Sequence, residues 1–211
     1  YAKTDNAHIK SAMVNISSEL SGKVVEVLVE DNHSVDAGDL LFRVDDQVYR
    51  IALARAEANL LKVRSNIEGL RADYQNQKAD VSKVQADLDY FQREYVRLQK
   101  LQASDSVSEV QVDQADYQVI HAQKQLEIEK QALEVVKAHL VDPALPVESH
   151  PDYLLALVER ERASLDLGHV DVYAPVSGVI ANFDVKAGEM VAASVPLFTL
   201  VEDGQHWVEA N

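Results

Sequence analysis

SGKVVEVLVEDNHSVDAGDLLF, residues 21–42, recurs in outline 156 positions later as SGVIANFDVKAGEMVAASVPLF, residues 177–198. The two stretches align without a gap and share Ser-Gly at the start, Leu-Phe at the end and three residues in between. Valine-rich alternation and turn-forming Asp, Asn and Gly residues predict short strands in both stretches. The chain therefore contains one β-pattern twice, with a long and different segment between the copies. The three inner matches are Val29/Val185, Val35/Val191 and Ala37/Ala193.

A long helix is predicted directly after the first copy. Residues from about 47 to 103 contain no proline and one glycine. Apolar residues recur there on a seven-residue template through seven heptads, and Gln77 is the one polar member of the series. Chance rarely keeps that phase for so long, so the pattern predicts a coiled-coil helix of ~55 residues that spans roughly 80 Å.

A second helix is predicted after a short polar turn. The Ser-Asp-Ser cluster at 104–106 is expected to end the first helix, and Ser106 with Glu109 fits a capping box. From about 107 to 140 the heptad spacing resumes, and the polar Glu129 interrupts it once. This segment is therefore predicted to run back along the first helix.

The returning segment is broken before it reaches the second β-copy. Asp142-Pro143 and Pro146 interrupt the helical spacing, and this break is interpreted as a bulge, a loop or a kinked helix. Helical spacing resumes over 153–167. The outgoing helix of ~55 residues and the two returning pieces of ~50 nearly match in length. They predict an antiparallel hairpin that is inserted into one small β-domain and brings its two halves side by side.

Composition and charge exclude several classes of function. Asp and Glu outnumber Lys and Arg by 35 to 20, for a formal net charge of −15, which disfavours nucleic acid or an anionic membrane surface as the main partner. Cysteine is absent, so disulfides and thiolate metal sites are excluded. No apolar run approaches the ~18–20 residues that cross a bilayer. A chain that opens on Tyr1 and closes on HWVEAN is interpreted as a piece of a longer protein, so the missing anchor carries little weight.

These features resemble the periplasmic adaptor subunits, or membrane fusion proteins, of tripartite efflux and secretion systems (the HlyD family), and within it the EmrA-like branch. The resemblance covers nearly the whole chain. TDNAHI at 4–9 is similar to the family's opening strand, and HWVEAN at 206–211 to the return into its β-barrel domain. SGKVVEVLVEDNHSVDAGDLLFRVD at 21–45 and YAPVSGVIANFDVKAGEMV at 173–191 are similar to its two lipoyl-type half-motifs.

The resemblance implies an α+β fold. A split lipoyl-like β-domain, called a barrel-sandwich hybrid, holds an inserted antiparallel coiled-coil hairpin of helices and lies beside remnants of a β-barrel domain. The implied division assigns 1–15 and 202–211 to β-barrel strands, 16–46 and 169–201 to the lipoyl-like domain, and 47–168 to the hairpin, with its tip at about 103–107 and its irregular break at about 141–151.

A second resemblance lies at the hairpin tip. Family members that dock on TolC-like outer-membrane channels carry an Arg, a Leu four residues later and a Ser seven residues beyond that. In this chain the matching residues are Arg97, Leu101 and Ser108, which flank the turn that helix lengths place at 104–106. The resemblance therefore implies that these three side chains bind the channel.

The same resemblance implies the partners and the location. The protein is expected to link an inner-membrane transporter to a TolC-like channel for export of drugs or other small molecules. A transporter of the major-facilitator type is favoured over the ABC type, and self-association into a ring, trimer or hexamer, is expected. An N-terminal anchor outside this chain would hold the protein in the bacterial inner membrane, facing the periplasm.

Other chemistries find little support in the residues. A lipoyl or biotin carrier needs a lysine on the turn between the half-motifs, where this chain has the hairpin and no lysine between Lys23 and Lys62. The seven histidines form no i, i+4 pair, so no metal is expected, although His139 and His150 flank the break and are able to approach each other. With no nucleophile elbow, P-loop or GxGxxG present, neither an enzyme nor a cofactor is expected.

An alternative from a different class is a structural or adhesion protein whose hairpin pairs with another coiled coil. It explains the heptads but not a split, repeated β-motif whose separation equals one out-and-back hairpin. Cellular fractionation separates the two, because the adaptor requires an inner-membrane anchor and co-purifies with a transporter.

Overall fold

The structure, a computed structural model, describes residues 7–103 and 106–210. Contacts divide the chain into two compact units, a β-unit of Tyr1–Glu57 with Val158–Asn211 and a helical unit of Ala58–Leu157. The elements in chain order are β1 (Ala7–Ser17), β2 (Gly22–Val27), β3 (Ser34–Val35), β4 (Leu40–Val44), α1 (Gln47–Gln102), α2 (Glu109–His139), a 3₁₀ turn (Val147–Ser149), α3 (Pro151–Gly168), β5 (Asp171–Tyr173), β6 (Gly178–Ala181), β7 (Met190–Val191) and β8 (Pro196–Ala210).

Each sheet of the β-unit combines strands from both sequence copies. One four-stranded sheet has the order β1-β8-β6-β3, and the other has the order β5-β4-β2-β7. Every pairing within them is antiparallel. One strand pair in each sheet comes from a single copy, β2 with β4 and β6 with β8, and each sheet is completed by a strand of the other copy, β7 and β3 respectively.

The two sheets bury one apolar core. Phe42 and Phe198, the last residues of the two repeated stretches, are 0% and 4% exposed, and their rings meet edge to face with centroids 6.3 Å apart. Phe183 packs on Phe198 in the same way at 4.8 Å. The matched valines of the repeat also lie in this core, which explains why both copies retain them: Val29, Val35, Val185 and Val191.

The repeat in the sequence is also a repeat of backbone pairing. Gly22 pairs with Val191 where β2 meets β7, and Gly178 pairs with Val35 where β3 meets β6. Adding 156 to a residue number in the first copy gives the number of its counterpart in the second, so these two pairs are equivalent. The β-unit therefore has internal two-fold pseudosymmetry.

Turn residues with positive φ angles also occur at equivalent positions of the two copies. Asn32 and Gly188 are counterparts and have positive φ angles of 64° and 97°. Gly38 and Ser194 are also counterparts, with φ angles of 94° and 63°. Asn, Gly and Ser are residues that turns favour, Asn and Gly because they tolerate this left-handed conformation most readily.

The shared Ser-Gly start of each copy closes a turn of the other copy. The Ser21 hydroxyl oxygen accepts a hydrogen bond from the backbone N–H of Ala193 at 2.9 Å. Its counterpart Ser177 accepts one from the N–H of Ala37 at 3.0 Å. These reciprocal bonds tie the two copies together and explain two of the matches that the sequences share.

In the helical unit, α1 and α2 pair in antiparallel orientation. Leu88 of α1 packs with Val119 and Leu126 of α2. Earlier on α1, Ile67 packs with Leu140, which follows the end of α2. Contacts that move toward the start of α1 thus move toward the end of α2, and the predicted antiparallel hairpin is confirmed.

Gln77 and Glu129, the two polar residues of the heptad series, bond each other across the interface between α1 and α2. Gln77 Nε2 donates to Glu129 Oε2 at 2.7 Å, and Gln125 Nε2 donates to the other carboxylate oxygen, Oε1, at 2.8 Å. A polar layer of this kind specifies which residues face each other, because any slip in register leaves the partly buried polar groups without partners.

We expect Gln77→Leu to lower the free energy of unfolding of the helical unit by about 1–3 kcal/mol, because the partly buried Glu129 carboxylate loses a donor. Replacing both Gln77 and Glu129 by Leu is expected to recover that stability or exceed it, at the expense of a unique register. Urea unfolding followed by circular dichroism measures both effects. Gln75→Leu, at an exposed position of the same helix, is the control. An unchanged midpoint for Gln77→Leu would contradict this role of the polar layer.

The break after α2 is a loop that packs against α1. Leu140 is 2% exposed and Val147, in the 3₁₀ turn, is 6% exposed, and both contact Ile67. Arg71 of α1 donates a hydrogen bond to the backbone oxygen of Leu145. Of the three interpretations of this segment, the structure has the loop, and the loop continues the core of the helical unit past the end of α2.

Candidate functional site at the helical tip

The three residues singled out near the turn lie at the end of α1 and the start of α2. Arg97 and Leu101 are four residues apart on α1, a spacing that places them on one face of the helix. Ser108 directly precedes α2. Because the helices are antiparallel, all three belong to the same end of the helical unit. Residues 104–105, at the centre of the predicted turn, lie outside the described residues.

Arg97 is exposed and forms an ion pair with Glu94, one turn earlier on α1. The side chain of Arg97 is 64% exposed, and its Nε donates to Glu94 Oε2 at 3.0 Å while Nη2 bonds the other carboxylate oxygen. The hydrogen bond from Arg97 lowers the pKa of Glu94, and the same bond raises the pKa of Arg97. Glu94 was missed in the sequence analysis, although an acid three residues before an Arg on a helix signals such a pair.

Exposed apolar side chains accompany the arginine at this end of the unit. Leu101 is 36% exposed, Val96 on α1 is 46% exposed and Val110 on α2 is 72% exposed. An exposed guanidinium and several exposed apolar side chains at one end of a unit are typical of a surface that binds a protein partner, where charge gives orientation and apolar contact gives affinity.

Ser108 is the N-cap of α2, and the predicted capping box at Ser106 and Glu109 is wrong. The Ser108 N–H and hydroxyl group both donate to Gln111 Oε1, at 3.0 and 3.3 Å. A capping box at Ser106 would need the Ser106 N–H for the Glu109 side chain, but this N–H donates instead to the backbone oxygen of Leu101 at 3.0 Å. The helix therefore begins two residues later than the cap pattern predicted.

His150 has a structural role beside the break. It is 4% exposed, its Nδ1 accepts a hydrogen bond from the Asp152 N–H at 3.2 Å, and its Nε2 lies 3.4 Å from the backbone oxygen of His139. The tautomer with its hydrogen on Nε2 satisfies both contacts. His150 precedes Pro151, the first residue of α3, so the imidazole caps that helix.

In the part of the chain that the structure describes, no group of three or more His, Asp or Glu side chains is placed to hold a metal ion. No helix among the same residues is both long and apolar enough to cross a membrane.

Comparisons with known proteins agree on one family. The profile described as RND MFP (membrane fusion protein), barrel-sandwich hybrid domain, matches residues 12–203. Over 216 residues the chain is 25% identical to the multidrug export protein EmrA of Haemophilus influenzae, an alignment that covers 100% of this chain and 54% of that protein. It is 30% identical over 221 residues to the multidrug resistance protein MdtN of Escherichia coli O6:H1, covering 97% of this chain and 60% of that protein.

The solved structure of the periplasmic adaptor protein EmrA is similar over 98% of this chain and 77% of that one, with a TM-score of 0.47 and 16% identity. The chain spans little more than half the length of the curated relatives that it matches.

Proposed function

The chain belongs to the RND membrane fusion protein family through a barrel-sandwich hybrid domain over residues 12–203, and from this premise we propose that it is the adaptor that carries drug export from an inner-membrane transporter to an outer-membrane channel. The family consists of non-enzymatic adaptors of multidrug efflux systems. Membership also confirms the predicted fold class, a split β-module with an inserted hairpin of helices.

One observation carries the proposal. The two halves of the β-module are locked together by reciprocal hydrogen bonds from Ser21 and Ser177, while the hairpin between them ends in an exposed, charged and apolar tip. The β-unit closes on itself, and the tip of the helical unit offers a surface that is able to bind a partner protein, as an adaptor requires.

The tip is proposed to bind a TolC-like channel through three different interactions. The Arg97 guanidinium offers charge-assisted hydrogen bonds to channel carbonyl or carboxylate oxygens, since its planar fork presents several donors. Leu101 supplies apolar contact. Ser108 offers a small hydrogen-bonding side chain that allows a close approach.

The remaining parts of the assembly are also proposals. The transporter is proposed to be of the major-facilitator type, with the ABC type as the alternative, because the resemblance to the EmrA-like branch favours a single-chain drug transporter. The protein is proposed to form a ring, trimeric or hexameric, on the periplasmic side of the inner membrane. Residues 1–15 and 202–211 are proposed to belong to a β-barrel domain, 16–46 and 169–201 to the lipoyl-like domain and 47–168 to the hairpin. Residues 1–6 and 211 lie outside the described residues.

A deletion strain tests the proposal against the scaffold alternative. We expect loss of the protein to sensitise cells to exported drugs, the unsubstituted protein to restore resistance, and a transporter to co-purify with it. Unchanged drug susceptibility together with purification free of any transporter would favour a structural or adhesion protein. The major-facilitator and ABC alternatives are separated by which of the two co-purifies.

A further inference from the structure

Residues 18–21, which we call the anchor segment, connect β1 to β2 and are held in place by their own hydrogen bonds. Ser18 is 0% exposed, and its hydroxyl group donates to the Leu20 backbone oxygen at 2.6 Å and accepts from the Leu20 N–H at 3.2 Å. The Ser18 backbone oxygen accepts a hydrogen bond from the Ser194 N–H at 2.8 Å. The anchor segment is therefore a fixed support for any group that binds to it.

Helix α1 is bonded to the anchor segment through Tyr49, in its first turn. The Tyr49 hydroxyl group donates to the backbone oxygen of Ser21 at 2.8 Å. The link between β4 and α1 is two residues long, and its first residue, Asp45, donates its N–H to the Lys23 oxygen at 2.8 Å. The start of α1 is thus held at two separate points, and two points fix a direction where one does not.

The end of α3 is bonded to the same segment through His169, the residue that follows the helix. His169 Nδ1 lies 2.9 Å from Glu19 Oε2. The His169 N–H donates to the Leu165 oxygen at 3.1 Å, which ties the imidazole to the last turn of α3. Because Glu19 and Ser21 are two residues apart, one short segment binds both helix ends that join the β-unit.

The equivalent segment of the second sequence copy, residues 174–177, differs at both of these groups. Pro175 stands where the first copy has Glu19. The Ser177 backbone oxygen, counterpart of the Ser21 oxygen that binds Tyr49, accepts a hydrogen bond from the Asp203 N–H at 3.2 Å. The pseudosymmetry of the β-unit therefore fails at the two groups that bind helices, which indicates that Glu19 serves the inserted hairpin.

The bond between His169 and Glu19 depends on pH. Histidine changes its charge between about pH 5 and 8, whereas a carboxylate stays ionised over that range. A charged donor makes a hydrogen bond to a carboxylate roughly twice as strong as a neutral donor does. The other ionisable groups near the pair lie on α3, β4 and β5: Asp166, Arg43, Asp171 and Tyr173. Arg43 forms an ion pair with Asp171, which leaves Glu19 as the carboxylate that bonds the imidazole.

We propose that the anchor segment is a clamp that positions the ends of both helices on the β-unit, with Tyr49 as a constant arm and His169 as an arm that tightens at acid pH. This inference rests on the proposed adaptor function, in which the tip must meet a partner. A tilt of a few degrees in the first turn of a helix of ~55 residues displaces its last turn by several ångström. Exposed ion pairs add little to stability, so the clamp acts on position and not on folding.

Distances between pairs of nitroxide labels, measured by electron paramagnetic resonance on the full-length protein, test the clamp. A label at Glu30→Cys in the β-unit is combined with one at Arg55→Cys on α1 or Arg162→Cys on α3, and all three positions are exposed. We expect Tyr49→Phe to broaden the α1 distance distribution about twofold, because phenylalanine keeps the ring and loses the donor. Tyr173→Phe, at an exposed tyrosine of β5, is the control and is expected to leave that distribution unchanged.

The pH profile distinguishes a positioning role of His169 from a structural contact. We expect the α3 distance distribution to be about twofold narrower at about pH 5.5 than at about pH 8, because the imidazole is charged at the lower value. The α1 distribution is expected to be the same at both, since tyrosine does not titrate in this range. Glu19→Gln is expected to remove the pH response. His169→Arg keeps a charged donor and is expected to give the narrow distribution at the higher pH as well.

Loss of both arms is expected to weaken export. We expect cells that carry Tyr49→Phe and Glu19→Gln together, at normal protein level, to tolerate about fourfold less drug, because a looser helix costs more to order on binding. Unchanged distributions in Tyr49→Phe, or a pH response that survives in Glu19→Gln, would overturn the clamp, and full resistance in the double variant would overturn its role in export. Unchanged drug susceptibility of the deletion strain would instead remove the proposed function, while the label distances would still report the clamp.

Discussion

Adding one methyl group at position 178 is expected to unfold the β-unit at markedly lower temperature and denaturant concentration. A Cβ on Gly178 would lie 2.2 Å from the Val201 oxygen and 2.9 Å from the Val201 carbonyl carbon. Both are backbone atoms of β8, which pairs with β6 in this region, so relief requires the two strands to separate. We expect Gly178→Ala to reduce the free energy of unfolding by about 3 kcal/mol, the upper part of the usual range for overpacking.

The chain supplies a matched control for this change. Gly69 lies in α1 with nothing within 4 Å of an added Cβ. Gly69→Ala is expected to raise the free energy of unfolding by about 0.5–1 kcal/mol, because alanine loses less conformational freedom than glycine when a helix forms. Opposite signs in thermal and urea unfolding are therefore the expected result, and a Gly178→Ala protein as stable as the unsubstituted one would show that β6 and β8 approach less closely.

At Gly22, the counterpart of Gly178, we expect the same substitution to have a smaller effect. An added Cβ there meets Val44 Cγ1 at 2.5 Å, which is a side-chain atom and not backbone. Val44 is fully buried, so it yields only partly. We expect Gly22→Ala to be destabilising by about 1–2 kcal/mol, less than Gly178→Ala.

Charge reversal at the tip is expected to abolish export. Arg97→Asp would place an acid near Glu94 and replace a donor fork with a group that repels the acceptors proposed on the channel. A wrong charge in an interface costs several kcal/mol, and ~3 kcal/mol corresponds to more than about a hundredfold weaker binding. We expect cells that carry Arg97→Asp or Leu101→Asp to be as drug-sensitive as the deletion strain, with cross-linking to the channel lost.

Two further variants show whether the loss belongs to the tip. Lys83→Asp makes the same charge change at an exposed position of α1 more than three helical turns before Arg97, and is expected to retain export. Arg97→Lys keeps the charge but loses the planar fork, and is expected to retain only part of the activity. Full resistance with normal channel cross-linking in Arg97→Asp cells would remove Arg97 from the binding site.

The fold was predicted well because its signals are periodic. Heptad spacing identified α1 and α2, and matching lengths identified their antiparallel return, since each residue in a helix adds a constant rise. The cap of α2 was predicted wrongly because Ser106 and Ser108 are both followed by a suitable side chain three residues later. In the structure the Ser106 N–H is bonded to Leu101 at the end of α1, and the capping box forms between Ser108 and Gln111.

The sequence places Arg97, Leu101 and Ser108 on either side of the predicted turn, but only part of their surroundings. The spacing of Glu94 and Arg97 signals an ion pair, whereas its two-point geometry depends on the rotamers of two long side chains. The predicted hairpin places Val110 at the same end as Leu101, but only the folded structure shows that its side chain is 72% exposed.

The sequence by itself determined that a β-pattern occurs twice, that two long helices separate the copies, and that these helices run in opposite directions. Tertiary structure alone decided which polar groups meet: Gln77 finds Glu129 from 52 residues away, and Ser21 finds the backbone of Ala193 from 172 residues away. The reason is physical. Periodicity is a property of neighbouring residues and is readable along the chain, whereas a contact between distant residues exists only after the chain has closed on itself.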